Sequence, residues 1–196
     1  MGDWKKQLEE FEQQEQWKAA IELMQQVVKD NLDDVEAYVR IIYLLHNVVL
    51  EVYTEVKKAQ GINDDKIETL LKHYFSEGNR KFAENAEYLF FIGMITHIAE
   101  WYFGIEESIN LPMEKHFATK MQKKASDFEP ENKLYKWAYL SSSVDNRYSS
   151  PIKDFARSLA KGLIEDTSTI EWLKSKGFPG QYVLEVQLKG SIRNSK

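Results

Sequence analysis

The chain has 196 residues, 43% of them hydrophobic and 13% aromatic, which is enough to bury a sizeable core in one domain. The absence of cysteine excludes disulfides, catalytic thiolates and cysteine-based zinc sites. Lys115, Lys120, Lys123 and Lys124 lie within one predicted helix and the C-terminus is basic, but the net charge is -5, so we expect no direct binding of nucleic acid.

The first residues predict two short amphipathic helices followed by a longer one. Trp4, Leu8 and Phe11 have the i, i+4, i+7 spacing of a helix face, and residues 17–28 carry a second apolar stripe. The third helix is predicted to run on toward Lys58. Because the charged sequence begins at once, we expect no signal peptide.

Residues that commonly cap helix N-termini precede four of the predicted helices. These are Asp3, Asp33 or Asp34, Asn63 or Asp64, and Thr167 or Ser168.

The most apolar stretch, residues 82–103, contains no proline and has apolar side chains on nearly every side of a helix. This pattern predicts a buried central helix against which the other helices pack. Its unbroken apolar run of about eight residues is well short of the ~20 needed to cross a bilayer. We therefore expect a cytoplasmic protein with no membrane role.

The first two helices resemble a tetratricopeptide repeat, a helix pair with a period of about 34 residues. One period after Trp4, Leu8 and Phe11 come further large apolar residues. A second, partial match lies later in the chain, so we interpret the protein as a degenerate tetratricopeptide-repeat-like protein. The residues that carry the resemblance are Trp4, Leu8, Phe11, Ala20, Met24, Val27, Tyr38, Ile42, Leu45, Ala118, Ala125 and Pro130.

The predicted fold is all-α, with antiparallel helix hairpins stacked as a short TPR-like α-solenoid around the central helix. We expect one helical domain over residues 1–180. Residues 181–196 differ, because apolar and polar residues alternate there with the period of two that is typical of a strand. This tail would be extended or strand-like, either packed on the helices or available to pair with a partner's sheet.

The resemblance implies that first-helix residues line a concave groove that binds another protein. Acidic residues outnumber basic ones ten to four over residues 1–36, which favours a basic partner. The alternatives are that this charge only solvates the surface and that the polar groove residues bond within the fold. The groove positions are Lys5, Glu9, Glu12, Val39, Tyr43, His46 and Asn47.

No catalytic or phosphate-binding motif occurs, so we predict a protein that is not an enzyme and needs no cofactor. The four histidines lack the glutamate three residues earlier that di-iron bundles use. His97 and Glu100 lie one helical turn apart and could share a metal, although a structural histidine is the simpler interpretation.

A small, acidic, cysteine-free protein is similar in style to the immunity proteins that bacteria make against their own toxins. We therefore predict a non-catalytic protein-binding module, an immunity-type inhibitor of a toxin such as a basic nuclease. One alternative is a scaffold or chaperone adaptor that gathers peptides. Another is a metal- or ligand-binding helical enzyme built around His97 and Glu100.

Overall fold

A computed structural model describes residues 4–50, 57–58, 60–97, 99–105, 111–144 and 150–193. All regular structure in these residues is helical, which confirms the all-α prediction. The chain divides into two compact units. Unit 1 contains residues 1–83 and 102–104, and unit 2 contains residues 84–101 and 105–196.

Unit 1 contains four long helices, each of which packs against the next one along the chain. The connections before and after the second helix are short, as in antiparallel helix hairpins. Leu8, Ala20 and Met24 are fully buried, so the apolar stripe of the first pair forms part of the core. The helices are α1 (Trp4–Gln13), α2 (Trp17–Asp30), α3 (Val35–Leu50) and α4 (Asp64–Lys81).

Helix α3 is buried on almost every side, from Ala37 to His46 without interruption. Its sequence is nearly all apolar, so the same reasoning that predicts a central helix elsewhere applies here. Unit 1 therefore has a central helix of its own.

The predicted cap Asp3 lies outside the described residues, and two of the other three predicted caps are confirmed. The Asp34 carboxylate accepts hydrogen bonds from the backbone N–H groups of Glu36 and Ala37 at 2.9 and 3.2 Å, and Asn63 caps α4. The third prediction is wrong, because Asp166 caps that helix by accepting from the backbone N–H of Ser168 at 3.2 Å. Asp166 precedes both predicted residues and offers a carboxylate at the N-cap position.

Unit 2 begins with α5 (Ala86–Thr96), in which every residue except Glu87 is buried. The buried central helix is confirmed, but it is shorter than residues 82–103 and gives way to a 3-10 turn at Glu100–Phe103. Helix α5 packs against α6, α6 against α7, and α7 against α8. The later elements are a 3-10 turn (Met113–Lys115), α6 (Phe117–Phe128), α7 (Lys133–Ser142), α8 (Pro151–Glu165) and α9 (Thr167–Ser175).

The prediction of a strand-like tail is wrong for residues 181–193. They belong to a C-terminal helical segment made of α10 (Phe178–Gln181), a π-helix (Tyr182–Leu188) and α11 (Lys189–Arg193). Val183, Leu184 and Leu188 are buried in it, and α11 packs on α8. A helix satisfies its own backbone hydrogen bonds, whereas a lone strand would leave them unpaired.

Among the described residues, no helix combines the length and the hydrophobicity needed to cross a membrane.

Candidate functional site

The predicted groove residues lie together on α1 and α3, but most of them are not at the surface. Glu12, Val39, Tyr43 and His46 are buried, and Asn47 is half-buried. Glu9 is partly accessible. Lys5 is exposed and forms an ion pair with Glu36 at 2.8 Å. Their role in binding a partner stays a prediction, and the burial limits direct contact to the accessible members.

Two of the groove residues, Glu9 and Glu12, form ion pairs with a buried cation, Arg40, that the sequence reasoning missed. The Arg40 guanidinium lies 3.9 Å from the Glu12 carboxylate and 3.7 Å from that of Glu9. Only 2% of the Arg40 side chain and 4% of the Glu12 side chain are exposed. A buried charge is tolerated only where opposite charges compensate its loss of water. The signal in the sequence is that Arg40 is the only arginine in a mostly apolar helix.

Burial raises the pKa of Glu12 to about 7, with a further increase from Glu9 and an opposing effect from Arg40. The carboxyl group can therefore gain or lose a proton near neutral pH. Shifts of this kind are common in functional sites, and they also arise in structural charge clusters.

His46 is held as a neutral ring inside unit 1. Burial lowers its pKa to about 4, and the ring stacks on Phe103 at a centroid distance of 5.3 Å. Within the described residues its Nε2 has no hydrogen-bond partner. The ring therefore packs as an uncharged aromatic group.

The turn between α1 and α2 holds an exposed carboxylate in an unusual backbone conformation. Glu15 has a φ of 54°, the left-handed region that glycine and asparagine favour. Its carbonyl accepts a hydrogen bond from the Gln60 side-chain amide at 2.6 Å, and Gln60 also accepts one from the Lys18 backbone N–H at 3.0 Å. The turn is therefore fixed from both sides.

The Glu15 side chain, unlike its backbone, is not held by the rest of the described protein. It is exposed, and its carboxylate has no hydrogen-bond or ion-pair partner in the described part of the chain. Glu22 and Asp33 are also exposed carboxylates without an ion pair among those residues. Glu22 lies on α2, and Glu15 and Asp33 lie in the turns before and after it; we call these three residues the acidic edge.

The sharing of a metal by His97 and Glu100 stays a prediction. His97 is exposed at the end of α5, whereas Glu100 accepts a hydrogen bond from the Ala118 backbone N–H at 3.1 Å, in the first turn of α6. Among the described residues, no three His, Asp or Glu side chains lie close enough together to hold a metal ion.

Comparison with known proteins found no matching family model, no matching curated protein and no matching solved structure. The functional argument therefore rests on the residues of this chain.

Proposed function

We propose that this protein is a non-catalytic binding module that captures a basic protein through its acidic edge. The observation that carries the proposal is the conformation of Glu15, an exposed carboxylate held at a left-handed turn position. For a residue with a Cβ atom, this conformation costs roughly 1–2 kcal/mol.

Glycine at this position would relieve the strain at the end of α1 without loss of any contact that the described residues make with the side chain. Strained residues persist where the surrounding structure fixes them, and they cluster at sites of binding and catalysis. A glutamate placed there presents a negative charge at the tip of a turn whose backbone is held by Gln60. The negative charge is therefore accessible to a basic partner.

Among protein-binding roles we favour an immunity-type inhibitor of a toxin, such as a basic nuclease. Exposed carboxylates accelerate the encounter with a positively charged protein, and they orient it. A scaffold that holds extended peptides in a groove has less support. Two of the apolar groove positions that it would use, Val39 and Tyr43, are buried.

The experiment compares tagged wild-type protein with Glu15→Gln, each purified from the native host and sized by light scattering. We expect the wild type to retain one basic protein at equal stoichiometry, released by raised salt, whose own activity falls when the tagged protein is added back. Glu15→Gln keeps the backbone and removes the charge, so it should retain clearly less of that protein.

Glu131→Gln is the matched control, because Glu131 is an exposed carboxylate of unit 2. It should capture the partner as well as the wild type does. Equal capture by Glu15→Gln, or a mixture of many substoichiometric proteins, would contradict the proposal.

A further inference from the structure

Unit 2 contains an open cavity that the proposed function does not use. It lies where the N-terminal ends of α5, α7 and α9 meet the turn between α6 and α7. Its volume is about 580 Å³, within the range of small-molecule sites.

Tyr135 supplies the first indication that the cavity has an occupant. This residue lines the cavity, and only 3% of it is exposed. Its hydroxyl has no hydrogen-bond partner in the described part of the chain, yet it is not one of the unpaired polar atoms that are closed off from solvent. The hydroxyl therefore faces accessible space. A hydroxyl in such a place destabilises a fold unless something bonds to it.

Two carboxylates of the same lining make the potential at this hydroxyl negative. Burial raises the pKa of Tyr135, and Glu129 and Glu87 raise it further, so the hydroxyl keeps its proton. Glu129 is exposed, and its Oε2 accepts a hydrogen bond from Asn132 Nδ2 at 3.0 Å. Its other oxygen has no partner among the described residues and is available to a ligand.

Glu87 shows which kind of group this part of the protein binds. Its carboxylate pairs with Lys176 Nζ at 2.7 Å, and the same ammonium lies 5.2 Å from the centre of the Trp172 ring. Glu87 and Trp172 both line the cavity, so a carboxylate and an aromatic ring already hold one ammonium at its wall. Because Lys176 neutralises Glu87, Glu129 is the carboxylate left for a ligand.

The helix starts around the cavity do not favour an anion. The side chains of Asn85, Asn132 and Asp166 accept hydrogen bonds from backbone N–H groups in the first turns of the three helices. No lysine or arginine occurs among the described lining residues. An anionic ligand would therefore lie beside Glu129 without a cation to offset the repulsion.

We propose that this cavity binds a small primary amine with an apolar body. The ammonium donates to the free carboxylate oxygen of Glu129 and to the hydroxyl oxygen of Tyr135. The apolar body lies against Leu134 and Trp172, which are also part of the lining. The charge of the amine distinguishes it from neutral and anionic molecules of the same shape.

Phenethylamine, 2-phenylethanol and 3-phenylpropanoate are suitable probes, because they share a phenylethyl body and differ in charge. Heteronuclear NMR can follow the indole N–H of Trp172, assigned from the signal that disappears in Trp172→Phe. We expect a saturable shift with phenethylamine. The neutral alcohol and the anion should each bind at least about fivefold more weakly, because neither supplies a charged donor to Glu129.

Two variants test the two polar contacts separately. Glu129→Gln should weaken phenethylamine binding by about fivefold, because it removes the charge of an exposed carboxylate. Its control is Glu131→Gln, because Glu131 is an exposed carboxylate of the same turn that does not line the cavity. Tyr135→Phe keeps the buried ring and should weaken binding by about tenfold. Its control is Tyr139→Phe, one turn further along α7 and outside the lining.

Three outcomes would overturn the proposal. One is an affinity for the alcohol or for the anion that equals the affinity for phenethylamine. Another is unchanged phenethylamine binding in folded Tyr135→Phe or in folded Glu129→Gln. The third is the absence of a saturable Trp172 shift up to about 10 mM phenethylamine. That result would show that ordered water alone bonds to the Tyr135 hydroxyl.

Discussion

The Glu12 carboxylate lies 3.9 Å from the Arg40 guanidinium, and both side chains are almost completely withdrawn from water. The two residues come from α1 and α3, so this pair ties the first helix of unit 1 to its central helix. Removal of one partner from such a pair leaves an uncompensated buried charge, whereas removal of both can be close to neutral. Loss of either partner alone would therefore leave a buried charge between α1 and α3.

Unit 1 contains two buried groups, Glu12 and His46, whose pKa shifts make the stability depend on pH in opposite directions. Glu12 has a pKa of about 7 in the folded state against 4.5 for an ordinary glutamate, so the native state binds the extra proton in that interval. Its contribution to stability is complete below pH 4.5 and is lost as the pH rises through 7, by about 3 kcal/mol in all.

For His46 the stability changes with pH in the opposite direction. Its pKa falls from 6.5 to about 4, so its contribution is present above pH 6.5 and is lost as the pH falls through 4. Between about pH 4.5 and 6.5 the two groups change the free energy of unfolding in opposite directions, and their effects nearly cancel.

Glu12→Gln should therefore reveal the pH dependence of the free energy of unfolding that is due to His46 alone. Compared with the wild type, its free energy of unfolding should fall more steeply as the pH is lowered from 6.5 to 4.5. In His46→Gln the free energy of unfolding should instead rise as the pH is lowered over this interval, because only the effect of Glu12 remains. Chemical unfolding at several pH values measures both, and the comparison of slopes is independent of each variant's overall loss of stability. Parallel profiles for the three proteins would show that neither group is perturbed as described.

The strain at Glu15 gives a second prediction. Glu15→Gly should raise the free energy of unfolding by about 0.5–1 kcal/mol, because glycine adopts a positive φ without a steric cost. Gln14→Gly is the control. Gln14 has no positive φ, so glycine there adds flexibility, removes the exposed hydrogen bond that the Gln14 side chain accepts from Gln16 Nε2 at 2.9 Å, and should lower stability. If Glu15→Gly destabilises the protein as much as Gln14→Gly does, the turn is not strained.

The same variant links stability to function. Under the proposed function, Glu15→Gly should be more stable than the wild type and yet retain less of the basic partner. A gain in stability that accompanies a loss of binding is expected where a residue is kept for an interaction with a partner. A variant that is more stable and binds equally well would leave the strain without that explanation.

The sequence predicts well those features that depend on local pattern. Helix α5 follows from a stretch that is apolar on all sides, and the caps at Asp34 and Asn63 follow from short polar side chains at helix starts. The Glu12–Arg40 ion pair cannot be predicted from a local pattern, because it joins residues of different helices. The left-handed φ of Glu15 is also hidden, since no glycine or asparagine marks it.

The C-terminal segment shows why one pattern can indicate two structures. Tyr182, Leu184, Val186 and Leu188 alternate with the period of a strand, but Leu184 and Leu188 are also four residues apart, as on a helix face. Val183 supports the helical alternative, because it is buried beside Leu184. Contacts with α8 and α9 select the helix, and the local pattern of apolar residues does not reveal those contacts.

This correction leads to the last prediction, which compares two neighbouring apolar residues. Leu188 is fully buried and Val186 is 57% exposed. Leu188→Ala should lower the free energy of unfolding by about 2–5 kcal/mol, because it leaves a cavity in unit 2. Val186→Ala should change it by less than about 0.5 kcal/mol.

Thermal or chemical unfolding of the two variants, followed by circular dichroism, measures the difference directly. In a free tail both substitutions would be neutral. In a strand of alternating pattern the two side chains would point the same way, so their burial and their costs would be similar. Only the helical segment places Leu188 in the core and Val186 in the solvent, so a large difference between the variants would confirm it.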